Sequence, residues 1–360
     1  MDNCLPFMSR LLILFPCSHM GNLLIALPHL RAMLAAQPEA LLVVSERYQV
    51  LVEQSLPGET RLLYYPEQAL SRQTPLFQRV HRYLQLVMAM RRFNAEVAVD
   101  IEGEQKSATL ARLSGAAERI GPRRRHGQWF YTRQLQADWS GHRWQAYASL
   151  SQPAANSPAR YLSLNASTDG VAEVDAILTG IDSTDGLVVI HAGATKTYKI
   201  WHAEQFATLS QRLRRAGLTP LLIGAGHKDR EQIARIQGFL CEPVVDLCDQ
   251  LSLAGLVALL KRSRGFVGND SGPMHLAAAC GLPTVALFGP TDDTLWQPLS
   301  PHAKVLRWQQ CHRDCERSSC ALDSYPCLQR LTVDRVMATL EALGMLPEHQ
   351  ADAAIPARKI

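Results

Sequence analysis

Hydrophobic positions in this chain fall in short, nearly uninterrupted runs. "RLLILF", "ALLVVS", "RLLYYP" and "EVAVDI" lie in the first half; "LVVIHA", "PLLIG", "PVVDL", "GFVGN" and "TVALFG" lie in the second. Such runs, bounded by turn residues, predict strands buried on both faces. Between them the apolar spacing switches to a helical period and predicts helices over 22–37, 75–92, 203–216, 229–239, 251–263 and 273–280. Strands linked by helices predict an α/β fold with two doubly wound parallel-sheet domains. "SQPAANSPAR" and "TGIDSTDG" concentrate turn residues between 150 and 186, which places the boundary there. The expected division is 1–165, 166–330 and a C-terminal helix and tail over 331–360. Ligands bind outside the carboxyl ends of such strands, so the domains are expected to face each other across a cleft.

Composition narrows the picture only slightly. The 360 residues are 47% hydrophobic and 19% charged, ordinary for a chain that folds throughout. A net charge of +4 and a pI near 8.6 fit an anionic ligand or leaflet rather than nucleic acid. The apolar core of "RLLILFPC" is too short for an export signal, and no run of eighteen apolar residues spans a membrane. Nine irregularly placed cysteines without an export signal suggest a reducing, cytosolic setting.

Candidate chemistry concentrates in "VGNDSGPMHLAAACG", where a strand breaks into a helix. With Pro273 as the first helical residue, Gly272 is the expected N-cap and Asp270 and Ser271 line the turn. The backbone at Pro273, Met274 and His275, with the helix dipole, is expected to hold a phosphate or diphosphate. Asp270 suits a sugar hydroxyl or a cation, and His275 can donate toward an oxyanion. Helix capping alone accounts for the same residues.

"FVGNDSGPMHLAAACGLPTVALFGPTD" closely resembles the signature of glycosyltransferase family 9, the ADP-heptose:lipopolysaccharide heptosyltransferases. "MGNLLIALPHLRAML", "VDIEGEQKSATLARLSGAAERIG" and "HAGATKTYKIWHAEQFATL" match other family segments in the same order. The resemblance implies a GT-B architecture of two Rossmann-like domains, the second holding nucleotide-sugar and the first the acceptor. Gly193, Thr195 and Thr197 then offer backbone and hydroxyl donors to the donor diphosphate, and Gly21 approaches it from the first domain. Lys199 supplies positive charge where the departing ADP becomes more anionic. The family's Lys-Arg-Trp-Pro is here Lys199-Ile200-Trp201-His202, one cation fewer.

On the acceptor side the resemblance points to Lys106. Nearby, "GPRRRHGQWFYTR" carries Arg123, Arg124, Arg125 and Arg133, a cationic rim suited to phosphorylated or carboxylated groups or simply a solvated basic loop. Helix 75–92 mixes apolar and basic residues; it could lie on an anionic leaflet or cover a sheet. The main departure is Asn22, where the family carries the aspartate proposed to deprotonate the acceptor hydroxyl. A carboxamide is no base near neutral pH. His19, with the better intrinsic pKa, and Glu102 or Glu104 are the candidate replacements.

Cys311, Cys315, Cys320 and Cys327 cluster near the C-terminus, where a structural zinc or iron competes with reduced thiols or a disulfide. No cofactor is expected in catalysis. One glycine after the first strand argues against a nicotinamide dehydrogenase, and the absence of GxxxxGK[ST] excludes a P-loop kinase. The expectation is an inverting heptosyltransferase acting on ADP-heptose and a lipopolysaccharide inner-core acceptor at the cytoplasmic face of a bacterial inner membrane. Asn22 keeps alternatives open: a silent nucleotide-sugar-binding homologue, or a transferase using another sugar nucleotide or a protein acceptor.

Overall fold

The computed structural model describes residues 10–123, 128–151, 159–181, 186–308 and 326–347. The first half runs β1 (Leu11–Phe15), α1 (Met20–Ala36), β2 (Leu41–Ser45), α2 (Gln49–Ser55), β3 (Arg61–Tyr65), α3 (Leu76–Phe93), β4 (Val97–Asp100), α4 (Gln105–Leu113), β5 (Glu118–Pro122), β6 (Arg133–Leu135) and α5 (Arg143–Ser151). The second continues with α6 (Thr168–Ile177), β7 (Leu187–His191), α7 (Ala203–Arg215), β8 (Thr219–Ile223), α8 (His227–Gly238), β9 (Val245–Asp246), α9 (Leu253–Arg262), β10 (Gly265–Asn269), α10 (Gly272–Ala279) and β11 (Thr284–Phe288). It ends with α11 (Asp293–Trp296), β12 (Ala303–Arg307), α12 (Pro326–Gln329) and α13 (Val333–Ala342).

The expected two parallel sheets are present. Their orders, β3-β2-β1-β4-β5-β6 and β12-β11-β10-β7-β8-β9, are the same topology used twice. Each therefore reverses direction once, between β1 and β4 and between β7 and β10, and a crevice opens outside the strand ends at each reversal. β1 and β10 are buried at every position, as their apolar sequences require. β5, β6 and β12 have no counterpart among the expected strands. β6 and β12 lie at sheet edges, where charged residues such as Arg133 and Lys304 alternate with buried ones and the apolar run disappears.

α1 begins two residues earlier than expected and continues through Pro28, which removes one helix hydrogen bond. Burial on nearly all sides holds it together: Leu23, Leu24, Ile25, Leu27 and Leu30 are all within the core. Each fully buried leucine contributes roughly 2 kcal/mol. α1 packs on α5, with the His29 and Trp144 rings 4.1 Å apart, and on α10 of the other half. Burial lowers the His29 pKa to about 4. α13 packs on α7 and adds Val336 and Leu340 to the second core.

Candidate functional site

The two strand-order reversals bring the start of α1 against the start of α10. Gly21 has no side chain because His275 occupies that space: a Cβ there would lie 2.5 Å from the imidazole Cδ2. Gly272 faces Met20 in the same way, with a Cβ placed 2.9 Å from Met20 Cε. Two helix N-termini, each positive at its end, thus border one crevice.

Ser271, in extended conformation, is the N-cap of α10; Gly272 is already helical and not the N-cap that sequence spacing suggested. The Ser271 hydroxyl lies 3.0 Å from His191 Nδ1 and 3.1 Å from the Asn269 carbonyl oxygen, so it does not close the helix end. Pro273 has no N–H, so the first-turn donors belong to Gly272, Met274 and His275, with Gly272 in place of the expected Pro273. The Met274 side chain is fully buried and leaves only its backbone for a ligand.

His275 is buried, and its Nδ1 lies 2.6 Å from the Tyr161 hydroxyl. Burial, more than any neighbouring charge, lowers its pKa to about 4, so the ring is neutral at pH 7. The Tyr161 hydroxyl thereby ties the segment between the two halves to the ring, whose Nε2 edge faces Gly21.

Lys199 Nζ lies 2.7 Å from Asp270 Oδ2, joining the turn after β7 to the end of β10. Buried Asn269 fixes that relationship: its Oδ1 accepts from Trp201 N at 3.1 Å and its Nδ2 donates to Ala192 O at 2.8 Å. Trp201 is fully buried, and its indole N–H reaches Leu331 O at 2.9 Å. The tryptophan therefore anchors the Lys199 turn, while Thr195 and Thr197 remain exposed.

Asp229 lies in "GAGHKDREQ", a stretch that offers charge but no pattern that reads a base. It accepts from Ala225 N at 2.9 Å and lies 3.4 Å from His191 Nε2. Burial raises its pKa, but hydrogen bonding from His191, the His191 charge and the Ala225 amide leave it lowered. A Cβ at Gly193 would lie 1.9 Å from Asp229 Oδ1, so this glycine makes room for the carboxylate.

On the first domain, His19 is the exposed N-cap of α1 and Asn22 its third residue, with no side-chain cap from His19. Lys106 is the second residue of α4. Its ammonium lies 2.7 Å from Ser18 Oγ and 5.3 Å from the Tyr65 ring centroid. Glu104 is consumed locally in a capping box with Ser107. Glu102 is buried beside Cys17 and Lys106, and its pKa is pushed up to about 7: burial dominates, Lys106 opposes it, and Asp100 reinforces it. Asp100 holds the loop below, accepting from the amides of Glu102 and Gly103, each at 2.9 Å, and from Tyr131 Oη at 2.6 Å. Gly103 has a φ of 69°, the left-handed conformation this turn needs.

Arg123 is exposed at the end of β5. Arg133 is paired 3.0 Å from Glu118, which ties it to the sheet. Arg124 and Arg125 lie outside the described residues, as do Cys311, Cys315 and Cys320. Cys327 is buried in the second core. Among the described residues no group of three or more His, Cys, Asp or Glu is placed to hold a metal ion.

Residues 83–326 match the family model "Glycosyltransferase family 9 (heptosyltransferase)". Lipopolysaccharide heptosyltransferase 1 of Pseudomonas aeruginosa is 27% identical over 272 residues, 70% of this chain and 75% of that protein. Lipopolysaccharide heptosyltransferase 3 of Escherichia coli is 34% identical over 117 residues, 31% of this chain and 34% of that protein. The chain spans 34% to 47% of the length of the first curated relatives it matches. The structure of E. coli ADP-heptose lps heptosyltransferase II superposes with a TM-score of 0.73 at 22% identity, covering 93% of this chain and 98% of that one. That likeness shows the two-domain α/β fold that the GT-B expectation described.

Proposed function

Because the chain belongs to glycosyltransferase family 9, matched over more than half its length, we propose that it transfers heptose from ADP-heptose to a lipopolysaccharide inner-core acceptor with inversion at the anomeric carbon. The observation that carries this reading is the crevice where α1 and α10 meet end to end beside the Lys199–Asp270 pair. The amides of Gly272, Met274 and His275 and the ammonium of Lys199 receive the donor diphosphate. Asp270, Ser271, Thr195, Thr197 and Gly21 border it, and the neutral His275 stands beside it.

In the transfer, the acceptor hydroxyl oxygen forms a bond to the anomeric carbon while the carbon–oxygen bond to ADP breaks. The bond electrons leave on the diphosphate, where Lys199 and the α10 amides stabilise them, and the hydroxyl proton passes to a base. Asn22 cannot take it. His19, at the mouth of α1, and Glu102, whose pKa sits near 7, are the two groups in the adjoining loops that can. Lys106 and Arg123 stand on the acceptor side of the crevice.

The acceptor is membrane-borne, so the reading places the protein at the cytoplasmic face of the inner membrane. Among the described residues no helix is long and apolar enough to cross a membrane, and the contact we propose is peripheral. No cofactor enters the transfer. The test is ADP release from ADP-heptose with a Kdo-lipid A acceptor, for the native protein beside Asn22→Asp. Acceptor-dependent release by the native protein supports transfer with a base other than residue 22. Release by Asn22→Asp alone identifies a nucleotide-sugar-binding homologue silenced at Asn22, the second reading that this residue favours.

A further inference from the structure

Helix α3 presents an apolar stripe that no described residue covers. Leu76, Phe77, Val80, Leu84 and Met88 are 70%, 71%, 49%, 51% and 47% exposed. At 100° per residue they fall within one third of the helix circumference. Leu86, Val87 and Met90, along the stripe's edge, pack into the first core and seat the helix, which leaves the five exposed residues outside that packing.

The charge around the stripe has one sign. From Gln68 to Ala95 the chain carries Arg72, Arg79, Arg82, Arg91 and Arg92 and no acidic residue. Arg91 and Arg92 are exposed at the C-terminal end of the helix, Arg91 on the stripe's own side and Arg92 just beyond Met88. Trp129, 86% exposed, projects from a short turn at 128–130 that packs on α4, the same helix against which α3 packs. An exposed apolar stripe flanked by arginine, with an indole on the same layer, matches the interfacial region of an anionic bilayer: apolar groups enter the acyl boundary and guanidinium groups meet lipid phosphates.

We propose that α3 docks this protein on an anionic lipid bilayer, through Phe77, Val80, Leu84 and Met88 with Arg91 and Arg92 at the headgroups. This rests on the reading that the acceptor is a glycolipid and supplies its missing geometry: docking there brings the first domain, with Lys106, to the membrane. A second copy of the chain is the competing occupant, but an all-cationic border disfavours self-pairing.

The experiment is flotation of the native protein with phosphatidylcholine vesicles and with phosphatidylcholine vesicles holding about 30% phosphatidylglycerol. Native protein is expected to float with the anionic vesicles only, and less as salt rises. Phe77→Ser with Leu84→Ser, and separately Arg91→Glu with Arg92→Glu, are each expected to weaken vesicle binding about tenfold or more. All these side chains are exposed, so the fold is retained, which unchanged ADP affinity of both variants verifies. Equal flotation with neutral vesicles, no flotation with anionic ones, or undiminished binding by Phe77→Ser with Leu84→Ser overturns the proposal. So does a concentration-dependent dimer in light scattering that this variant abolishes. Native protein that floats but fails to bind ADP would instead count against the transferase reading alone.

Discussion

Lys199 and Asp270, 71 residues apart in sequence, meet at 2.7 Å where β7 and β10 deliver their turns to the crevice. The lysine is held in place by the carboxylate, and an arriving diphosphate must share or displace that partner. Lys199→Ala is expected to weaken ADP binding by about tenfold to a hundredfold, the range for one charge-assisted contact. It also leaves Asp270 buried without its cation. Asp270→Asn should cost less in ADP affinity, and the double variant should show coupling of about 1–2 kcal/mol in denaturation. Strict additivity would mean that the contact contributes nothing.

Gly21→Ala and Gly272→Ala probe the meeting of α1 and α10. The first forces a methyl onto the buried His275 ring, and the second meets the flexible end of Met20. We expect Gly21→Ala to lose about 2 kcal/mol of stability and Gly272→Ala less than half of that. Equal melting temperatures for the two would show that the helix ends separate freely.

Glu102 gives stability a distinctive pH dependence. Its pKa rises from 4.5 in the unfolded chain to about 7 in the folded one. Between these values the folded protein holds a proton that the unfolded chain has released, so this group's contribution falls as pH rises through the window. The loss is about 3 kcal/mol at most. Glu102→Gln should therefore gain stability relative to the native protein from pH 4.5 to 7.5, in urea titrations at each pH. His275 and His29, with lowered pKa values, act in the opposite direction in both proteins and cancel in the difference. A difference that stays flat with pH contradicts the assignment.

Of the two candidate proton acceptors Glu102 is the buried one, and as the base it makes a distinct prediction. Native kcat/KM should fall below about pH 7 as Glu102 takes up a proton. Glu102→Gln should lose that limb together with about 10² to 10⁴ of rate, the usual contribution of a positioned base. His19→Ala is expected to stay within about tenfold of native. Should His19→Ala abolish the limb while Glu102→Gln keeps it, the proton goes to the imidazole.

Both sheets and the crevice turn were readable because β1, β7, β10 and β11 are apolar at nearly every position and end in punctuating residues. The edge strands β6 and β12 were not, since half-exposed strands admit charge. The cap of α10 was misplaced by one residue: Ser271 and Gly272 both suit an N-cap, and the choice depends on Ser271 being drawn to His191, 80 positions away. Glu102 and Glu104 look alike in sequence. Only packing separates a carboxylate enclosed with Cys17 and Lys106 from one occupied in capping a helix. Asp229 was hidden for the same reason, its space being created by Gly193 from another loop.

Tyr161 sits between the last helix of the first sheet and the first strand of the second, yet its hydroxyl lies 2.6 Å from Nδ1 of His275 on α10. Gly21 of α1 closes on the other edge of the same ring, so one imidazole is gripped from both sides. Any movement that spread the two halves would have to let go of one of those edges, which makes the connecting segment a tether on the crevice.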